Sequence, residues 1–429
     1  MKLKVINIVN HPPAYDAHRD RPRPKINWDL PNGSWVGIWG YEWHDIIGNK
    51  VLEIADDIEY EVWQPDLRAD KIYEHTFETG LKHRSFPAVK VKVLHGIRYR
   101  EDVYSQLLMD ELEKEYQSGI PLVLHINAGF RYINTPVLNK YWKKIPIVGQ
   151  FYTNSLNIFD LPKTKNPYKF IHGWLKRREL FNYYKKIKFI IPGVSEGMEY
   201  FEEKFGTQVF RRDFANFGGN INELQRKISK EEARQKLNIP GDKYILFSSS
   251  RLVPVKQVDK LIVALAGVKN KNFICYISGR GTEEYESYLK KLVKDNFLGE
   301  NIRFINYVDY NILLEYFQAV DLLVSTSMQD AGPSAPFQAS AMGTPSLITN
   351  TGLAAEFFKL TGSGIIVPVD NYPVWEQALE SCIAGKTIKI PSRDELEKFG
   401  DWGRISKYYY ESYKIAYNSN ERKNWSLKL

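Results

Sequence analysis

Cysteine is nearly absent: the 429 residues include two, Cys275 and Cys382. Two cannot build a disulfide framework or a cysteine-based metal site, and they give no sign of an oxidising compartment. Cys275 lies inside the apolar run FICYISG and reads as a buried strand residue. Long hydrophobic runs are also missing; no stretch reaches the ~18–20 apolar residues of a membrane span. The opening run MKLKVINIVN is broken by His11-Pro12-Pro13, too early for the apolar region of a signal peptide. A cytoplasmic protein is expected, either free in solution or associated with the cytoplasmic face of a membrane. There is no low-complexity tract and no fixed-period repeat, which excludes solenoids and disordered linkers.

What is present is globular. Hydrophobic residues make up 43% and charged residues 26%, values at which a chain folds on its own core. The length suits two domains of roughly 150–220 residues each. The formal net charge of +8 serves solubility or attracts an anionic partner: a nucleotide diphosphate, an anionic lipid surface or nucleic acid. The cations are scattered and the aromatic residues follow core periodicity, so nucleic acid is not expected.

Short apolar runs bounded by turn residues recur along the chain: KVINIVN, IPLVLHIN, IPIVGQFY, FIIPGVS, YILFSSS, FICYISG and DLLVSTS. Several are apolar on both faces, as strands of a parallel sheet covered by helices are. Their alternation with helical stretches over the whole length predicts two open α/β sheets. The Gly- and Asn-rich segment FANFGGNINELQ marks the boundary, near Asn216–Asn222. From Trp402, WGRISKYYYESYKIAY reads as a helix with a Tyr-rich face.

Three constellations carry chemistry. In SSSRLVPVKQVDKLIVAL a strand ends at Ser250, Arg251 follows, and Lys256 precedes an amphipathic helix. Ligands of open α/β sheets sit outside the carboxyl ends of strands, where helix N-termini add partial positive charge. Arg and Lys there suit a diphosphate, Arg by binding two oxygens and Lys as a point charge; two solvated surface cations is the bland alternative. In ISGRGTEE a strand runs into Gly279-Arg280-Gly281, which fits a phosphate-approaching turn or a plain tight strand-to-helix turn, since the third glycine of a dinucleotide fingerprint is missing. In STSMQDAGPSAPFQASAMGTPSLITN a strand ends in a small-residue loop before a helix. Backbone N–H groups at Gly332, Ser334 and Ala335 are candidates for phosphate oxygens, Pro333 having none, and Gln338 for ribose hydroxyls.

In this order and spacing, residues 245–350 resemble the C-terminal half of the retaining family 4 glycosyltransferases. The resemblance rests on Arg251-x4-Lys256-x4-Leu261, Gly279-x-Gly281, the stretch NYVDYNILLEYFQAVDLLVSTS, and Ala341-x-Gly343-x-Pro345. It implies the GT-B architecture: two Rossmann-like domains facing each other across a cleft. The implied division is 1–215 for an acceptor-binding domain and 216–400 for a nucleotide-sugar-binding domain, with 401–429 crossing back to the first. It assigns Arg251 and Lys256 to the donor diphosphate, Tyr307 and Val308 to the base, and Asp330 and Gln338 to the positions of two glutamates that contact sugar and ribose. More loosely, LVLHINAG resembles the family's strand ending in His-x-His, which puts His125 and Asn127 at the reaction centre, and WVGIWGYEWHD fills the glycine-rich loop, with Gly37 and Gly40 approaching the diphosphate.

The resemblance thus implies an enzyme using a nucleoside diphosphate sugar as donor and a glycan or lipid-linked acceptor, with no metal and no other cofactor. A basic aromatic segment, 163–188, holds nine Lys/Arg against one acid, Glu179. It reads as a contact for an anionic membrane, with Trp174, Leu175, Phe181 and Tyr184 as an apolar stripe, or as a solvated helix. Two other functions remain open on the same architecture: a sugar-nucleotide epimerase and a non-catalytic glycan-binding or partner subunit.

Overall fold

The computed structural model describes residues 2–9, 26–38, 43–127, 133–151, 160, 162–193, 198–210, 219, 221–329 and 334–421. The chain forms two compact units, Met1–Arg212 with Ile405–Leu429, and Asp213–Arg404.

The first unit contains strands β1 (Leu3–Ile8), β2 (Ile26–Asp29), β3 (Trp35–Ile38), β4 (Ile58–Asp66), β5 (Tyr73–Thr76), β6 (Lys82–Pro87), β7 (Val89–His95), β8 (Arg98–Tyr104), β9 (Leu122–Asn127), β10 (Ile147–Phe151), β11 (Phe189–Pro192) and β12 (Gln208–Val209). Eight of them form one sheet in the order β12-β11-β10-β9-β1-β4-β6-β5. It is parallel except for β5, which pairs antiparallel with β6 on the edge. The strands the apolar runs predict are its centre, and β1 is buried along its whole length, as a strand covered on both faces must be. The chain winds outward from β1 through β4 and β6, then returns to pair β9 on the other side of β1. The hairpins β2–β3 and β7–β8 stand outside this sheet.

One face of the sheet carries a buried polar row. Asn7 of β1 faces His125 of β9 in register, and Gln150 of β10 and Tyr60 of β4 lie on the same side by the two-residue period. The Tyr-rich helix Trp402–Glu421 covers it. Its Tyr413 hydroxyl lies 2.8 Å from His125 Nδ1 and 3.1 Å from the Tyr60 hydroxyl, and Tyr409 donates to Gln150 Oε1 at 2.6 Å. The four-residue spacing puts both tyrosines on one helix face. Burial pulls the His125 pKa down to about 3 against an opposing hydrogen bond to Gln150, so the ring is neutral at physiological pH.

The second unit contains β13 (Tyr244–Ser249), β14 (Phe273–Ser278), β15 (Ile302–Ile305), β16 (Leu322–Ser325), β17 (Ser346–Thr349) and β18 (Ile365–Val367). The sheet order is β15-β14-β13-β16-β17-β18 and every pair is parallel. Counting from β13, this is the 3-2-1-4-5-6 order of a doubly wound nucleotide-binding sheet, with its reversal between β13 and β16. Amphipathic helices connect the strands, and Leu261, Leu265, Leu289 and Leu379 are all fully buried against them. A helix at Lys230–Lys236 opens the unit with a capping box between Ser229 and Glu232. Its Arg234 reaches the start of β16, where Nη2 meets Asp321 Oδ2 at 2.5 Å and Nε donates to the Ala319 carbonyl at 2.9 Å.

Candidate functional site

The reversal between β13 and β16 is where an open α/β sheet binds its ligand, and the segment leaving β13 is fastened there from both sides. On the β14 side, Ser250 N–H donates to the Ser278 carbonyl at 3.1 Å and Leu252 N–H to the Arg280 carbonyl at 2.8 Å. This contact requires the two glycines. A Cβ on Gly279, whose φ is +148°, would lie 1.8 Å from the Ser250 carbonyl oxygen, and one on Gly281 would lie 2.0 Å from that of Leu252. On the β16 side, Met328 N–H donates to the Val255 carbonyl at 2.9 Å. The Thr326 hydroxyl shares its proton between the carbonyls of Lys256 and Gln257, 3.0 Å from each. Ser327 is held in turn by the Thr349 hydroxyl, which donates to its carbonyl at 2.6 Å.

The backbone from Ser250 to Gln257 is therefore fixed while its two cations keep solvent access. Arg251 is exposed, and among the described residues its side chain has no ion pair or hydrogen bond. Lys256 is half-buried and ends the 3-10 turn Pro254–Lys256, directly before the helix Val258–Gly267. Next to them β16 gives way to the helix Ser334–Ala341, with Ser334 exposed and Ala335 and Gln338 half-buried. An arginine fork, a lysine and the amino ends of two helices together favour an anion with several oxygens.

The remaining predicted residues fall into three groups. Tyr307, 50% exposed, and half-buried Val308 follow the carboxyl end of β15, on the same edge of the second sheet. Gly40, Asp330 and Gly332 lie outside the described residues, and so does the side chain of Asn127, the last residue of β9. The rest are corrections. Gly281 does not offer its N–H to a ligand, because it donates to Glu286 Oε1 at 2.7 Å; it and Gly279 act by letting two main chains approach. Gly37 is not in a glycine-rich loop; it is a buried residue of β3, paired with Asn27 of β2. His125 reaches no ligand as placed, since it is fully buried in the polar row under Tyr413. The apolar stripe on 163–188 is also redrawn: Tyr184 belongs to the core, and the exposed apolar residues are Tyr168, Phe170, Ile171 and Trp174.

Three residues that fasten the site were not foreseen: Thr326, Gln257 and Asp370. Thr326 had a signal in its position at the polar exit of an apolar strand. Asp370 had none, because it lies 113 residues from the Gln257 it meets.

Residues 229–401 match the family model described as glycosyl transferases group 1. Among curated proteins, the chain is 25% identical over 173 residues to D-inositol 3-phosphate glycosyltransferase 2 of Catenulispora acidiphila, covering 38% of this chain and 40% of that protein. It is 24% identical over 226 residues to the lipopolysaccharide core biosynthesis glycosyltransferase LpsE of Rhizobium meliloti, covering 53% and 61%. The chain thus spans about half the length of the curated relatives it matches. Among solved structures, HepE of Anabaena in complex with UDP and glucose superposes with a TM-score of 0.62 at 14% identity, over 96% of this chain and 99% of that one. Sucrose-phosphate synthase of Thermosynechococcus elongatus gives 0.61 at 14% identity, over 97% and 100%. At such identities the likeness is one of fold, and that fold is GT-B.

Proposed function

Because residues 229–401 match the glycosyl transferases group 1 family model and the chain has the GT-B fold, we propose that the protein transfers a sugar from a nucleoside diphosphate sugar to a glycan or lipid-linked acceptor, with retention of configuration. The observation that carries this reading is the Arg251–Lys256 pair at the sheet's reversal, with Arg251 exposed and uncommitted to any described neighbour. Arg251 and Lys256 bind the donor diphosphate and stabilise the charge that grows on it as the glycosidic bond breaks. They take the role a divalent metal plays in other transferases. The N–H groups of Ser334 and Ala335 add to the phosphate contacts, Gln338 reaches the ribose, and Tyr307 and Val308 line the base. Asp330 and Asn127 address the transferred sugar. HepE, a structural neighbour, was crystallised with UDP and glucose, which supports a donor of this class.

The test is calorimetric titration with UDP, GDP and ADP, followed by the sugar nucleotides of whichever base binds. One nucleoside diphosphate should bind, with affinity that falls as salt rises. If none binds, the reading fails. If a donor incubated alone yields its epimer, the enzyme is an epimerase instead.

We further propose that the first unit rests on an anionic lipid surface, where a lipid-linked acceptor would be met. The helix Pro167–Tyr184 and the hairpin β7–β8 are joined by His95 Nδ1 to Glu179 Oε2 at 2.8 Å, and by Ile97 N–H donating to His172 Nδ1 at 3.1 Å. Between them they expose Leu94 and Tyr99, opposite each other near the hairpin tip, and Tyr168, Phe170, Ile171 and Trp174 on the helix. The same segments carry exposed Lys90, Lys92, Arg98, Lys165, Lys169 and Arg178. Aromatic residues and cations on one segment suit the headgroup region of an anionic bilayer. No helix among the described residues is long and apolar enough to cross a membrane, so the contact is peripheral. In a sedimentation assay the protein should pellet with phosphatidylglycerol vesicles at low salt and stay in solution with phosphatidylcholine vesicles. Phe170→Ser with Trp174→Ser should abolish pelleting. Absence of pelleting by the unaltered protein at low salt overturns the membrane contact.

A further inference from the structure

The turn that presents Lys256 ends on a residue in an unusual backbone state. Gln257 has φ 50° and ψ 40°, in the left-handed region, where a side chain with a Cβ is disfavoured and glycine is not. It does not repay this by capping the helix that follows, since the helix Val258–Gly267 receives no side-chain hydrogen bond from it. Instead the side chain turns inward, leaving the residue 7% exposed, and Nε2 donates to Asp370 Oδ1 at 3.1 Å. Asp370 is itself left-handed, with φ 58°. It follows β18 and also receives Lys260 Nζ at 2.9 Å. Lys260 is the main cause holding its carboxyl below the ordinary carboxylate value, so the acceptor stays ionised. Two disfavoured residues bonded to each other beside a binding segment mark a conformation that the surroundings enforce.

The tie completes a frame. Thr326, from the exit of β16, holds the carbonyls of Lys256 and Gln257. Asp370, from the exit of β18, holds the Gln257 side chain. The peptide carrying Lys256 is thus fastened from two strand ends, and neither fastening uses the lysine's ammonium group.

We propose that Gln257 is a positioning residue: tied to Asp370, it fixes the main chain at Lys256 so that the ammonium group meets the donor diphosphate with less ordering on binding. This rests on the donor-site reading above. A flexible lysine must lose conformational freedom to bind, and a main chain fixed beforehand reduces that loss.

Glycine separates this role from ordinary structural support, because Gln257→Gly relieves the backbone while removing the tie. The variant should melt no lower than the unaltered protein, yet bind UDP about tenfold more weakly, which corresponds to about 1.4 kcal/mol. Asp370→Ala should weaken UDP binding by a similar factor. The double variant should bind no more weakly than either single one, since both remove the same tie. Asp370→Asn keeps an oxygen acceptor for the Gln257 amide and should retain most of the affinity. Gln257→Gly binding UDP within about threefold of the unaltered protein, or losses that multiply in the double variant, overturns the proposal. Arg251→Ala serves as the marker of the donor site. If Arg251→Ala loses UDP while Gln257→Gly keeps it, the positioning role alone falls. If the unaltered protein binds none of UDP, GDP and ADP, the donor reading falls and the positioning role falls with it.

Discussion

Replacing Arg251 with alanine is expected to slow cleavage of the donor by about 100-fold or more, and Lys256→Ala to do much the same. Removing one preorganised group aimed at developing charge costs about 10²–10³ in rate in acyl transfer, and a leaving diphosphate concentrates comparable charge. The measurement is release of the nucleoside diphosphate, followed with the donor that binds best, so it needs no acceptor. Arg251→Lys should fall between, because lysine keeps the charge but cannot hold two oxygens at once. The double alanine variant should lose less than the product of the single losses, since the two cations act on one leaving group. The fold should not suffer from Arg251→Ala: the side chain is exposed and no described residue partners it, and such surface changes usually stay within about 0.5 kcal/mol. Rates within about threefold of the unaltered protein for both single variants would remove the diphosphate assignment.

The legible part of this molecule was the part decided by local chemistry. KVINIVN, LVLHIN, IVGQF, YILFSS and FICYIS became central parallel strands because burial on both faces imposes an unbroken apolar run, which no other element of that length requires. The Arg251–Lys256 segment was legible for a related reason: the polar residues start where the apolar run stops, so the sequence itself marks the carboxyl edge. The hairpin β7–β8 is less legible, because no residue of β7 is buried, so no unbroken apolar run marks it. The surroundings of His125 are not set locally. Whether a polar residue near a strand end meets a ligand or the core depends on what covers that face. Here the cover is Tyr413, 288 residues away in sequence. The Gly279-x-Gly281 pair shows a third limit. Glycine spacing reveals that two backbones, or a backbone and a ligand, approach closely, and it does not say which. The Ser250 and Leu252 carbonyls supply the answer.

That close approach sets the second large effect. Gly279→Ala should destabilise the second unit by about 3 kcal/mol, combining backbone strain with the loss of two interstrand hydrogen bonds at roughly 1 kcal/mol each. The new Cβ would stand 1.8 Å from the Ser250 carbonyl oxygen, so the exits of β13 and β14 must part. The bonds lost are those from Ser250 N–H to Ser278 and from Leu252 N–H to Arg280. Gly362→Ala is the control. Gly362 is also left-handed, at φ +58°, but nothing lies within 4 Å of its added Cβ. Its alanine variant therefore carries the conformational cost alone, about 1 kcal/mol. Calorimetry reads the difference: for a unit of this size each kcal/mol lowers Tm by about 2–4 °C, so Gly279→Ala should melt about 6–12 °C lower and Gly362→Ala about 2–4 °C lower. Function should separate the two further. Parting the strand ends moves Arg251, which sits between the two broken bonds, and a shift of about 1 Å can cost on the order of 100-fold in rate. Gly362→Ala should leave donor cleavage unchanged at temperatures where it is folded. Equal melting shifts for the two variants would mean that the β13–β14 contact yields without resistance, and Gly279 would then be one left-handed glycine among several with no part in holding Arg251.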